Sequence, residues 1–300
     1  MARRAMKGRD LSDLLLLAAL WGGSFLFLRY AAPVFGAVPL IWLRVAIAAA
    51  CLLPLLLWHG QLGVLRERAG PITVMAIFNS ALPFVLIAWA TLSVTAGFAS
   101  IVNATVPIFT ALVGAVWLKD RLDASRIVGL ALGFAGVLLM SADKADFKPG
   151  GSGWAVLSLL GAALSYGFAA NYTKRHLGGV PALANATGSQ LASALLLLPL
   201  APLDWPAVTP GVGPWLAAIA LGVGCSALAY LLFFRLIGRV GASRAVTVTF
   251  LVPVFGTLWG VLFLGEAVTP GMAGGGLVIL AGTALATGLL RLPALRRAGR

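Results

Sequence analysis

Residues 117–136 read WLKDRLDASRIVGLALGFAG, and residues 263–282, 146 positions later, read FLGEAVTPGMAGGGLVILAG. Leu118 recurs as Leu264, Asp120 as Glu266, Gly129 as Gly275, Ala135 as Ala281 and Gly136 as Gly282. The cations Lys119, Arg121 and Arg126 return as Gly265, Ala267 and Met272. A segment that keeps its small residues and its acid but sheds its cations is one packing unit used twice in different charge environments. The repeat extends further at the same offset. SALPF (80–84) returns as SALAY (226–230), and Ala96, Ala99, Pro107 and Gly114 return as Ala242, Ala245, Pro253 and Gly260. AALWG (18–22) reappears as AALSYG (162–167) with one residue inserted.

The solvent of this chain is lipid. Apolar residues make up 60% and charged residues 10%, against about 25% charged in an ordinary soluble protein. A spanning helix needs about 20 apolar residues to cross ~30 Å of hydrocarbon. Ten such runs are present, at about 12–31, 37–58, 71–91, 95–118, 125–141, 153–173, 181–201, 214–235, 243–264 and 270–290. The fifth is short. Transmembrane barrels show short alternating segments instead, so the expected fold is an all-α integral membrane protein. Cys51 and Cys225 lie inside apolar runs and indicate neither a disulfide framework nor a metal site.

The formal charge is +13, but position decides its meaning. Arg and Lys are scattered over short loops and both ends of the chain, with no dense stripe, so nucleic acid is not an expected partner. Eighteen of the 22 fall on the side from which the chain starts: residues 3, 4, 7, 9, 66, 68, 119, 121, 126, 174, 175, 235, 239, 244, 291, 296, 297 and 300. Arg29, Lys144 and Lys148 fall on the other side, and Arg44 lies within the second run. Such a bias predicts both termini in the cytoplasm. A basic stretch before an apolar run also fits a cleaved leader, but the repeat requires the first run to stay.

Each copy holds five runs, an odd number, so the copies should enter the membrane from opposite sides. The loss of cations from the second segment then follows, because it faces the other compartment. The predicted architecture is ten transmembrane helices in two inverted five-helix repeats, 1–145 and 146–300, around a central cavity. Inverted repeats of this kind characterise secondary transporters, whose solute site lies near the midplane between the halves.

These residues also resemble a known family. Trp21-Gly22, Arg44, Asn79 with Pro83-Phe84, the Pro107 and Pro253 helices, Leu264-Gly265-Glu266, Gly275 and Gly282 are similar to the drug/metabolite transporter superfamily, and most of all to EamA-type ten-helix members. The first copy departs from that pattern, with Leu118-Lys119-Asp120 where a Gly-Glu pair is usual. The resemblance implies export of amino acids or related metabolites across a bacterial-type inner membrane. Lipid or lipid-linked-sugar flippases and multidrug exporters share the fold and stand as alternatives.

Small and polar residues mark the faces turned from lipid. Ala96, Ser100, Asn103, Pro107, Thr110 and Gly114 share one helical face, and Ala242, Val246, Thr249, Pro253, Gly256 and Gly260 share its counterpart. The helix-breaking prolines Pro83, Pro107 and Pro253 free backbone carbonyls for a neighbour or a ligand. The expected solute-binding set is Trp21, Ser24, Asn79, Asn103, Tyr166, Tyr230 and Thr249, with Gln190 a weaker candidate. Ser80, Ser226 and the span glycines read as helix packing. Asn171 and Tyr172 read as interfacial, and His59 and His176 as solvated. Arg44 either snorkels outward or makes a structural bond, or it meets a solute carboxylate. No Asp, Glu or His falls near the midplane, which favours a neutral or zwitterionic solute and uniport, or coupling through an end residue such as Asp13 or Glu266. The sequence holds neither HExxH nor a P-loop nor paired acidic motifs, so no enzyme activity, catalytic residue, metal or cofactor is expected. The expected partners are a small-molecule solute and the bilayer, for a chain acting as a monomer.

Overall fold

The computed structural model describes residues 8–290 except 145, 149 and 150, with the side chains of 143, 242 and 243 also outside the described set. Seven of the cations counted for sidedness (3, 4, 7, 291, 296, 297 and 300) therefore lie outside the described residues. Ten main helices follow one another: α1 Gly8–Phe35, α2 Ala37–Trp58, α3 Ala69–Ala90, α4 Ala96–Trp117, α5 Ala124–Ser141, α6 Ser152–His176, α7 Ala182–Leu197, α8 Val212–Val240, α9 Val248–Leu264 and α10 Pro270–Ala286. Among the described residues there is no strand.

Seven helices, α1–α6 and α8, are long and apolar enough to cross a membrane. The other three have 16 or 17 residues, or ~24–26 Å at 1.5 Å per residue, short of the ~30 Å hydrocarbon layer. Local sequence accounts for two of these shortfalls. Pro199, which has no N–H to continue the helical hydrogen-bond ladder, ends α7 early, and a turn at Val246–Thr247 separates the short Ala242–Ala245 helix from α9.

The two copies of the opening segment fold alike. In the first, the Asp120 N–H donates to the Gly114 carbonyl (3.1 Å), and in the second Glu266 donates to Gly260 at the same distance. The residues between are left-handed, Lys119 at φ 57° and Gly265 at φ 65°. Side chains cap the next helices at equivalent positions, Asp123 accepting from the Arg126 N–H (2.9 Å) and Thr269 from that of Met272 (3.2 Å). Lys119 is the described non-glycine residue with positive φ, so the first copy holds a conformation that costs an L-residue ~1–2 kcal/mol. The backbone plan survived where the glycine did not.

Helix pairing is symmetric under exchange of the halves. α1 packs on α9 and α6 on α4; α1 on α8 and α6 on α3; α2 on α8 and α7 on α3. α2–α7, α4–α9 and α5–α10 are their own counterparts. Glycines set the closest approaches. A Cβ on Gly22 would stand 2.8 Å from the Gly256 nitrogen, and one on Gly167 2.9 Å from that of Thr110. These are the α1–α9 and α6–α4 crossings, equivalent in the repeat. Between α5 and α10 the contact is reciprocal. A Cβ on Gly136 would meet the Gly275 carbonyl at 2.7 Å, and one on Gly129 the Gly282 carbonyl at 2.6 Å. Lipid tails are as apolar as leucine, so such backbone contact, not flight from water, associates helices in a bilayer.

Gly282→Ala should therefore force α5 and α10 apart and lower the melting temperature in detergent, as overpacking by ~1–3 kcal/mol does. Gly274→Ala, on the same helix with open space around it, should leave the melting temperature within a degree or two.

Candidate functional site

A cavity of about 330 Å³ lies where the halves meet, at the lower end of the range for small-molecule sites. Most of its lining comes in pairs related by the repeat offset: Asn79 and Cys225, Phe84 and Tyr230, Ile87 and Phe233, Ser100 and Val246, Asn103 and Thr249, Val106 and Val252. Trp21 and Tyr166 pair across the one-residue insertion. Both halves thus contribute the same positions to one pocket.

Local irregularities aim these residues inward. Asn79 sits in a π-helical segment of α3, Ile77–Ala81, and Cys225 in the counterpart in α8, Ala220–Leu228. The wider turn of a π-segment shifts the helical register and recurs at functional sites. Asn103 is the last residue before α4 breaks at Ala104–Thr105, ahead of Pro107, which has no N–H to bridge the break.

All seven expected solute contacts and Arg44 line the cavity. Trp21 leans on Phe233, ring centroids 5.2 Å apart, and Tyr166 is edge-on to Phe84 at 6.4 Å. The Asn79 amide donates to the Tyr230 hydroxyl (3.4 Å). The Thr249 hydroxyl donates back to the Val246 carbonyl (2.8 Å), which commits its proton locally. Ser24 Oγ and Asn103 Oδ1 are buried without a hydrogen-bond partner. The three prolines stand behind the wall, and their neighbours Phe84, Val106 and Val252 face the pocket. Pro253 lies inside the continuous Val248–Leu264 helix, six residues past the turn at Val246–Thr247.

Arg44 does not snorkel. It is only 5% exposed, its Nε donates to Ser226 Oγ (2.9 Å), and its guanidinium lies 3.8 Å from the centroid of the Phe84 ring. The inward direction is set by that serine and ring, which hold the head group away from the membrane surface. Gln190 does not reach the pocket. It is fully buried between α7 and α3, donating to Ser80 Oγ (3.1 Å), which in turn shares a hydrogen bond with Ser189 (2.9 Å). Asn171 is likewise buried against protein, bridging α6 to the Thr110 carbonyl of α4 (2.9 Å). Sequence reading missed the apolar wall of Phe25, Leu28, Phe84, Ile87 and Phe233. Helical steps of three and four residues from Trp21 and Tyr230 would have found most of it.

The two ends of the pocket differ. Ala170 and Val246 are exposed at one end, close to Lys174 and Arg244 on the basic side, whereas Leu28, Ile87 and Ser100 are buried at the other. Beyond that buried end the Glu266 carboxylate accepts from the Ala96 and Gly97 N–H groups (2.8 and 3.2 Å), joining the end of α9 to the start of α4. Its counterpart Asp120 instead pairs with Lys174 (3.1 Å). Asp13 is held by Arg235 and Arg239, tying α1 to α8.

A multi-pass helical membrane protein with a largely apolar pocket, carrying a few polar groups, between two related halves has the form of a solute transporter. The chain belongs to the EamA-like transporter family, whose model matches residues 13–142 and 153–288 as two units. It is 27% identical over 276 residues to a probable terminal-alkyne amino-acid exporter of Streptantibioticus cattleyicolor, covering 91% of each chain. It is 23% identical over 268 residues to an uncharacterized transporter of Archaeoglobus fulgidus, covering 89% of this chain and 95% of that one. The uncharacterized transporter YwfM of Bacillus subtilis is 27% identical over 272 residues, at 88% and 89% coverage. A solved crystal structure superposes with a TM-score of 0.67 at 22% identity, covering 95% of this chain and 98% of the other, which shows the fold.

With Cys51 and Cys225 replaced by alanine, cysteine introduced at Ala170 or Val246 should react with a charged thiol reagent supplied from the basic side. Cysteine at Leu28 or Ile87 should react at least tenfold more slowly. Equal rates at all four positions would contradict a pocket open at one end.

Proposed function

We propose that this chain is a secondary carrier that exports amino acids or related small metabolites across a bacterial-type inner membrane by alternating access. On this reading all ten helices cross, the halves 1–145 and 146–300 are inverted copies, and both termini are cytoplasmic. The short helices α7, α9 and α10 are accommodated by tilt of their neighbours and local bilayer thinning.

The observation that carries the reading is a cavity built from equivalent positions of both halves, with exposed lining residues towards the basic end and buried ones at the other. Two copies that exchange conformations close the open end and open the closed one. The acids at the ends of α4 and α9 fit that cycle. Glu266 holds the outer end shut by capping α4, while Asp120 rests on Lys174. In the alternate state Asp120 is free to cap the start of the short Ala242–Ala245 helix ahead of α9 as Glu266 is released. The structure is then the inward-facing state of the carrier.

The only charged side chain in the described lining is Arg44. A pathway without carboxylate or imidazole supports passage without obligatory proton coupling. Similarity to the Streptantibioticus relative, a probable terminal-alkyne amino-acid exporter, supports amino-acid export. A flippase would need a charged head-group site open to lipid. The lateral groove between α1, α8 and α9 is lined by residues such as Leu26, Phe27, Leu216 and Trp259 and carries no charged side chain in its described lining, so the carrier reading is preferred.

Purified protein in liposomes loaded with a panel of amino acids should release them saturably without an imposed proton gradient; strict dependence on that gradient would discard uniport. Glu266→Gln should weaken the outer closure by ~1 kcal/mol, roughly a fivefold shift towards the outward-open form. It would be read as faster labelling of a cysteine at Ser100 from the side opposite the basic one.

A further inference from the structure

Arg44 is buried, and five of the nine acids of the chain are engaged elsewhere. Asp13 is held by Arg235 and Arg239, Asp120 by Lys174, Glu67 by Arg68 and Glu266 by the first turn of α4. Asp123 caps α5. No carboxylate lines the pocket among the described residues. The guanidinium makes one hydrogen bond, from Nε to Ser226, and rests on the Phe84 face. Its other nitrogens have no described partner, and a buried cation of this kind calls for an anion.

The repeat shows that the charge is not needed for packing. Arg44 and Gln190 are 146 positions apart, as are their partners Ser226 and Ser80. Each donates from the second helix of its half to a serine on a helix of the other half, Arg44 at 2.9 Å and Gln190 at 3.1 Å. A neutral amide therefore does the same structural task in the sister position, fully buried. What distinguishes Arg44 is its charge, its free edge and its place on the cavity wall.

We infer that Arg44 is the specificity-determining residue of the pocket, and that the solute is a monocarboxylate with an apolar body, its carboxylate seated on the Arg44 guanidinium. A guanidinium presents two parallel N–H groups that match a carboxylate. Phe25, Phe84, Phe233 and Trp21 supply apolar walls for the rest of the solute. An α-ammonium, where present, meets the unpaired Asn103 Oδ1. A cation lacking a carboxylate meets only repulsion. This inference rests on the carrier reading and names its substrate class.

The test uses leucine, phenylalanine and methionine, each set against its carboxamide, together with 4-methylpentanoate as a carboxylate without an ammonium. Binding to the purified full chain in detergent and counterflow into liposomes are measured separately. Each acid should bind about 30-fold or more tightly than its amide, and Arg44→Gln should erase that preference while melting like wild type. Should Arg44→Gln fail to fold, Arg44→Lys replaces it, keeping the preference for acid over amide at reduced affinity. 4-Methylpentanoate binding as tightly as leucine makes the carboxylate alone sufficient; its weaker binding adds the ammonium contact without removing the carboxylate one. Acid and amide binding alike, no acid binding at all, or an Arg44→Gln variant that keeps the preference would overturn the inference. Transport that continues in those last cases leaves the carrier reading standing. Arg44-dependent binding without counterflow would instead defeat the carrier reading and keep the carboxylate site.

Discussion

Backbone-to-backbone contact through glycine is the constraint on which this architecture depends. In lipid an apolar side chain gains little by turning inward, so helices associate where their surfaces come close enough for dispersion to add up. Gly22 and Gly167 allow α1 and α6 to lie against α9 and α4, and Gly129, Gly136, Gly275 and Gly282 bring α5 and α10 together. Each contact occurs twice, once in each sense. The repeat therefore reproduces the positions of closest approach, and with them the relative placement of the halves.

Given that frame, polar groups can be spent on function. The α2–α8 and α7–α3 contacts are each marked by a serine accepting from a longer side chain, and one of those side chains is charged. The cavity is the same sort of object: its wall is paired position by position, and its chemistry is not. Asn79 faces Cys225 in the repeat, Asn103 faces Thr249, and Arg44 has a counterpart that never reaches the pocket. In the proposed carrier the symmetric scaffold serves the two-state cycle, and the departures from symmetry serve recognition. The end acids show the same split, with Glu266 engaged across the halves and Asp120 engaged with a lysine.

Much of the helical plan was legible in sequence because lipid imposes long apolar runs and a repeat doubles every signal. The offset of 146 pointed to Asn103 with Thr249 as equivalent positions on facing helices. Three things were not legible. Helix length near the limit depends on turns such as Val246–Thr247 and on Pro199, which apolarity alone does not register. The direction of Arg44 depends on Ser226 and Phe84, which are distant in sequence, so snorkelling and burial read alike. The burial of Asn171 and Gln190 depends on which helix lies opposite, and an amide on a helix face looks the same whether it meets a carbonyl, a serine or a solute.

The central claim is that two like halves oppose each other across the bilayer. Arg9 and Lys148 are exposed and lie at the start of the first half and the start of the second. Single cysteines at these positions, in a background with Cys51 and Cys225 replaced by alanine, can be labelled in sealed vesicles with an impermeant thiol reagent. The account predicts that the two react from opposite sides of the membrane. Labelling of both from the same side would contradict it.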